Sequence, residues 1–225
     1  MPWDSIWEEV FRSQPWGKYP SEDVIRFVAR NFYKVPDRGS VKILEVGCGP
    51  GANLWYIAKE GFVAYGIDGS ASAIATCRQR MDAEVPGWKG ELSEGDVCSL
   101  PYGDDFFDAV IDNECIYANL YDDARRIYQE AHRVLKPGGK LYSKTFASGT
   151  VGDGTGSKIG HHAWLVADGS LAGKGTSRFT SESDINDLLT PLKIISIERV
   201  TRSEEIRSTE IIDWVVIAEK TDRNA

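Results

Sequence analysis

The sequence predicts an α/β fold built on parallel strands, and three observations carry that expectation. Val41 to Val46 is a short apolar run that suits a strand buried on both faces. It feeds into a glycine turn, Gly47-Cys48-Gly49-Pro50-Gly51, and then a helix. The same strand-then-helix unit recurs to about Phe146, with connections too long for hairpins, which calls for right-handed helical crossovers between parallel strands. Four of the strands end on an acidic residue: Glu45, Asp68, Asp96 and Asp112. In a parallel sheet the carboxyl ends open on one crevice, so these groups would line a ligand site.

The elements follow in order. Trp3, Ile6, Trp7, Val10 and Phe11 recur at helical spacing, with Asp4 or Ser5 as the cap and Pro15-Trp16-Gly17 as the stop. Residues 1–20 are therefore expected either to pack on the domain as an ordinary helix or to cover the site as an aromatic lid, with Lys18 and Tyr19 as lid candidates. Ser21 caps a second helix to about Tyr33 whose stripe is Val24, Ile25, Phe27, Val28 and Phe32. After the glycine turn a helix runs from Ala52 to Lys59 and stops at Gly61. Phe62 to Asp68 is a second strand, and a helix follows Gly69-Ser70. Short strands then lie near Glu91 to Gly95 and Phe106 to Asp112. A helix from about Asp122 stops at Lys136-Pro137-Gly138-Gly139, and Lys140 to Phe146 is a fifth strand. Residues 148–178 are glycine-rich with no helical pattern and read as an insertion near the substrate site. Ser181-Glu182-Ser183-Asp184 resembles a capping box opening a helix to Leu189. Two late strands, Leu192 to Val200 and Ile211 to Glu219, could pair antiparallel.

Composition bounds the class. The 225 residues are 42% hydrophobic and 27% charged, which is ordinary for one globular domain spanning 1–225. A formal net charge of -8 argues against general affinity for nucleic acid or an anionic membrane surface. The four cysteines form no CxxC pair and there are three histidines, so neither a disulfide framework nor a metal site is expected. Reduced thiols imply a cytoplasmic protein. No signal-peptide pattern opens the chain, and no run approaches the ~18 apolar residues of a membrane span.

Gly47, Gly49 and Gly51 permit a sharp turn and close approach of a ligand, and the following helix offers free N–H groups. Gly47 to Ala52 also fits the G-x-G-x-x-G/A fingerprint of dinucleotide folds. Glu45 argues the other way. A carboxylate just before the turn would repel a pyrophosphate and suit an amine or a cationic ligand.

With that turn in place, the chain resembles the class I S-adenosylmethionine-dependent methyltransferases. The resemblance rests on Leu44-Glu45-Val46-Gly47-Cys48-Gly49-Pro50-Gly51, Gly66-Ile67-Asp68-Gly69-Ser70 and Gly95-Asp96-Val97. It continues through Phe107-Asp108-Ala109-Val110-Ile111-Asp112 and His132-Arg133-Val134-Leu135-Lys136-Pro137-Gly138-Gly139, in order over about residues 40–146. It implies a Rossmann-like sandwich: a mostly parallel seven-stranded sheet with an antiparallel last strand and helices on both faces.

It also implies S-adenosylmethionine as cofactor. Gly47, Cys48, Gly49, Gly51 and Asn53 would lie along it, with Glu45 near its amino end. Asp68 would accept hydrogen bonds from both ribose hydroxyls. Gly69, Ser70, Asp96 and Val97 would border the adenine, and Asp112 with Asn113 would sit below the sulfonium. The expected reaction is in-line transfer of the methyl group to an O or N nucleophile of a small molecule, where alignment supplies much of the rate. A non-catalytic cofactor-binding module is the alternative, and a nicotinamide oxidoreductase a more distant one. Glu114 and Tyr117 follow the fourth strand as candidate catalytic groups. His161 and His162 in the insertion are further candidates, expected to overhang the crevice. The partner expected is a small-molecule acceptor, with no nucleic acid or membrane, and the assembly a monomer or homodimer.

Overall fold

The computed structural model describes residues 3–204, 206 and 208–221. Two helices, α1 (Ile6–Ser13) and α2 (Glu22–Phe32), precede the sheet. Then come β1 (Lys42–Val46), α3 (Ala52–Lys59), β2 (Val63–Asp68), α4 (Ala71–Glu84), β3 (Gly90–Glu94), β4 (Phe107–Asn113), α5 (Tyr121–Val134) and β5 (Leu135–Phe146). The chain ends with β6 (Ser157–Gly160), β7 (Ala163–Leu165), β8 (Thr176–Arg178), α6 (Glu182–Leu188), β9 (Lys193–Glu204) and β10 (Thr209–Glu219).

Seven strands form one sheet in the order β3-β2-β1-β4-β5-β10-β9. β10 runs antiparallel to both neighbours and the other pairings are parallel. The order reverses between β1 and β4, so the crevice at their carboxyl ends is the expected ligand position. The alternation of β1 explains its continuous apolar run. Ile43 packs on one face with α2 and α3, through Phe27, Leu54 and Ile57. Leu44 and Val46 pack on the other with α5 and α6, through Ile127 and Leu188. A third apolar cluster joins Tyr117, Phe146, Leu171, Phe179 and Ile211 under the insertion, and Trp7 packs against it.

Some elements differ from the sequence reading. β5 begins at Leu135 because the register slips between Phe107 and Ala109, letting Pro137 and Gly138 bulge out within the strand. The insertion, which shows no alternation to read, holds a small antiparallel sheet, β6-β7-β8. Ser21 occupies the N-cap of α2 but its side chain makes no cap bond; its N–H instead donates to Asn53 Oδ1 at 3.0 Å. Asp4 caps α1 by accepting from the Ile6 N–H. The capping box of α6 is present as read. Among the described residues no helix is long and apolar enough to cross a membrane.

Candidate active site

A cavity of about 450 Å³ opens at the carboxyl ends of β1, β2, β4 and β5 and is roofed by α1. Its floor is the turn after β1. Gly47, Gly49 and Gly51 all have positive φ, at 62°, 51° and 82°. A Cβ on Gly47 would meet Cys115 Sγ at 2.2 Å, and one on Gly51 would meet Cys77 Sγ at 2.2 Å. Those two glycines are therefore required by packing beneath the turn as well as by backbone angle. Gly49 is the one that faces the roof, where a Cβ would touch the Phe11 ring at 3.4 Å.

The carboxylates at this end are held by short, local bonds. Asp68 accepts from the Gly49 N–H through Oδ2 and from the Ser70 N–H through Oδ1, both at 2.8 Å. Burial pushes its carboxyl up, and the two backbone bonds oppose that shift. Glu45 is buried, and its Oε1 accepts from Asn53 Nδ2 at 2.6 Å. Its Oε2 has no partner. Burial raises the Glu45 carboxyl to about 8, helped by the negative charges of Asp68 and Asp112. A buried acceptor with no donor is costly, so a ligand bearing an ammonium group there would complete the site. The residues fit the amino-acid end of an adenosylmethionine-type ligand, with Asp68 positioned in the same cavity for paired hydroxyls.

The other end is charged. Lys144 Nζ lies 2.7 Å from Glu114 Oε1 and 3.3 Å from Asp213 Oδ2. Burial pulls the Lys144 ammonium down, but Glu114 and Asp213 together outweigh it and keep it charged. Glu114 adopts φ of 60°, the left-handed region that non-glycine residues seldom take, as the chain turns out of β4. Tyr117 is buried and packs edge-on against Phe146 with ring centroids 4.7 Å apart. Burial raises its phenol, which makes it a proton donor rather than a base near neutral pH.

The roof is aromatic. Trp7, Phe11 and Trp16 pack on one another with centroids 5.3 to 6.1 Å apart. Trp3 covers Gly69, leaving no room there for a Cβ. Glu8 fastens α1 by accepting from the Ser70 and Ser72 hydroxyls at the start of α4. Tyr19 stays exposed and is not in the cavity wall.

The sequence-selected residues divide into two groups. Glu45, Gly47, Cys48, Gly49, Asn53, Asp68, Gly69, Val97, Asn113, Glu114 and Tyr117 line the cavity. Gly51, Ser70, Asp96, Asp112, His161 and His162 are not among its described lining residues. Asp112 is buried beneath this end of the cavity. It folds back to accept from the Cys115 and Ile116 N–H groups at 3.0 Å and from the Ser143 hydroxyl at 2.6 Å, so it fixes the turn that presents Asn113 and Glu114. Asp96 accepts from the Cys98 N–H, and the flanking Gly95 and Val97 reach the cavity.

The histidines meet a carboxylate outside the described lining of the cavity. His161 Nε2 and His162 Nδ1 each lie 2.9 Å from a different oxygen of Asp184, with their rings stacked at 4.2 Å. Both rings thus meet the first turn of α6. The three side chains are close enough together to hold a cation, a cluster that counting histidines along the chain did not reveal. Burial pushes the Asp184 carboxyl up, but hydrogen bonds from His161, Ser181 and His162 outweigh it and hold it at about 2.

Lys144, Asp213, Lys174 and Arg202 line the cavity and were missed. The available signal was a charged residue inside an apolar strand: Lys144 within Leu141 to Phe146, and Asp213 within Ile211 to Ile217.

Comparison with known proteins agrees with this geometry. Residues 43–139 match a family model described as a methyltransferase domain. The phthiotriol/phenolphthiotriol dimycocerosates methyltransferase of Mycobacterium tuberculosis is 34% identical over 105 residues, covering 46% of this chain and 37% of that protein. The chain spans about half the length, or less, of the curated relatives it matches. Among solved structures, a SAM-dependent methyltransferase from Methanosarcina mazei superposes with a TM-score of 0.69 at 23% identity, covering 90% of this chain and 99% of the other. The magnesium protoporphyrin IX methyltransferase of Synechocystis, solved with bound SAH, superposes with a TM-score of 0.65 at 17% identity, covering 96% and 84%. These structural likenesses establish the shared fold.

Proposed function

Since the chain belongs to the class I S-adenosylmethionine-dependent methyltransferases, we propose that it transfers a methyl group from that cofactor to an oxygen or nitrogen of a small-molecule acceptor. The observation that carries the reading is Glu45 Oε2, a buried acceptor without a partner, in the same cavity as Asp68. When bound, S-adenosylmethionine supplies a methyl group already activated by its sulfonium.

The protein's part is to bind, align and keep out water. Glu45 takes the amino end, Asp68 the ribose hydroxyls, and Gly69 and Val97 border the base. Asn113 and Glu114 mark the passage to the acceptor. We assign residues 1–20 as a lid, because Trp7, Phe11 and Trp16 enclose the cavity and Glu8 fastens the segment over it. Residues 148–178 supply a side wall through Ser170, Leu171 and Lys174. We read residues 1–225 as one catalytic domain, working in the cytoplasm as a monomer or homodimer.

Calorimetry with S-adenosylhomocysteine tests this. Micromolar binding that Asp68→Ala weakens, with no binding of NADH, supports the reading. Tight NADH binding without S-adenosylhomocysteine binding would sink it.

A further inference from the structure

We propose that the charged end of the cavity is a subsite for a polyhydroxylated, sugar-like ring, recognised by Asp213, Asn113 and the Trp7 indole. This deepens the methyltransferase reading and rests on it. The subsite spans three neighbouring strands. Asn113 on β4 is the register partner of Lys144 on β5, and Asp213 on β10 is the register partner of Phe146 at the end of β5. The Glu114 N–H donates to the Lys144 carbonyl at 2.9 Å, which fixes the turn against that strand. Lys144 then ties Glu114 to Asp213. All of these residues line the same cavity as the cofactor end.

Among the described residues, three buried polar atoms here lack a partner: Asp213 Oδ1, Asn113 Oδ1 and Trp7 Nε1. Asp213 is only 7% exposed. Of the ten buried polar atoms without a partner among the described residues, four belong to residues lining this one cavity, and that clustering points to a ligand that completes them. Of the three at this end, two are acceptors and one is a donor. A hydroxyl both donates and accepts, so several hydroxyls on one ring answer the set. An ammonium only donates and would leave the Trp7 N–H unmatched. Charge points the same way, because Lys144 and Arg202 both act on Asp213, so the Glu114 and Asp213 carboxylates face two cations. An acyl chain would bury all three polar atoms with nothing to bond. The walls agree: Trp7 and Phe146 present aromatic surface on which the C–H face of a saturated ring can lie.

The test uses saturation-transfer NMR on the full chain with saturating S-adenosylhomocysteine. The probes are methyl α-glucoside, methyl α-mannoside, methyl α-galactoside and methyl α-rhamnoside, with 1-octanol and benzylamine as comparators. At least one glycoside is expected to bind. Asp213→Ala is expected to weaken it about 10-fold or more, and Trp7→Phe, which keeps an aromatic ring, a few-fold. Asn113→Ala provides a second acceptor deletion if Asp213→Ala does not fold. The inference is overturned if S-adenosylhomocysteine binds and none of the glycosides does, or if both acceptor deletions leave glycoside binding unchanged. Failure of S-adenosylhomocysteine itself to bind would instead remove the methyltransferase reading beneath it.

Discussion

The two ends of the cavity are built by different means. The proposed cofactor end comes mostly from residues 45–70, with Gly95 and Val97 beside them, and its carboxylates are held by the Gly49 and Ser70 N–H groups and the Asn53 side chain. The charged end is assembled from α1, the β4 turn, β5, the insertion and β10, and is held by ion pairs between neighbouring strands that lie far apart in sequence. Local construction fixes a ligand that does not change. Distributed construction leaves single side chains free to vary without disturbing the cofactor.

That contrast breaks first at Asp68. Its two backbone bonds tie the glycine turn to the start of α4, so Asp68→Ala removes both the proposed ribose contact and the shape of the floor. S-adenosylhomocysteine affinity is expected to fall roughly 30- to 100-fold by calorimetry, since hydrogen bonds to a charged group are worth about 1.5–3 kcal/mol. A loss below about 3-fold would mean that Asp68 is only a turn residue.

Glu45 separates binding from stability. Its folded-state carboxyl, raised to about 8, stands above the ordinary value of 4.5. The stability tied to its protonated form is fully present below pH 4.5 and is lost as pH climbs through about 8. Glu45→Gln keeps the Asn53 contact without the charge. At pH 8 the ligand-free variant should melt ~3 °C or more above the parent protein. Its affinity for S-adenosylhomocysteine should drop about 10-fold. In the parent, an ammonium bound beside Glu45 favours the ionised carboxylate. Binding near pH 7 should therefore release a proton, visible as buffer-dependent calorimetric enthalpy. A variant less stable at pH 8, with unchanged affinity, would show that Glu45 serves only the core.

Legibility in the sequence follows the same division. The strand-turn-helix at Val41 to Lys59 and the sheet's parallel half could be read because periodicity and turn chemistry are local. At Asp112 the sequence leaves two local uses open, facing a ligand or capping the next turn, and its bonds to Cys115, Ile116 and Ser143 serve the turn. Lys144 and Asp213 escaped because their meaning comes from the β5-β10 pairing, which joins residues far apart in the chain. The small sheet of the insertion escaped because three- and four-residue strands carry no period.

A smaller effect is expected at the lid, which spans both ends. Glu8 holds α1 through the Ser70 and Ser72 hydroxyls, and those bonds lower its carboxyl. Glu8→Ala should speed S-adenosylhomocysteine release about 3- to 10-fold in stopped-flow fluorescence, the size of one or two ordinary hydrogen bonds. Tryptophan emission from Trp3 and Trp7 provides the signal. An unchanged release rate would mean that the aromatic packing alone keeps the lid shut.

The smallest effect on the site is expected from the histidine pair, which the sequence placed over the crevice and the fold places beside α6. His161→Ala should leave S-adenosylhomocysteine affinity within about 2-fold, because neither ring reaches the cavity wall. What it removes is a bond to Asp184, whose carboxyl is held at about 2. That carboxylate's folded-state value lies below the ordinary 3.8, so it contributes stability above pH 3.8 that is lost as pH falls through about 2. In His161→Ala the shift shrinks, and the contribution should begin to fail at a higher pH. Acid titration followed by far-UV circular dichroism would show the midpoint moving upward by a few tenths of a pH unit. A midpoint that stays put while cofactor affinity falls would return His161 to the active site and reverse the placement beside α6.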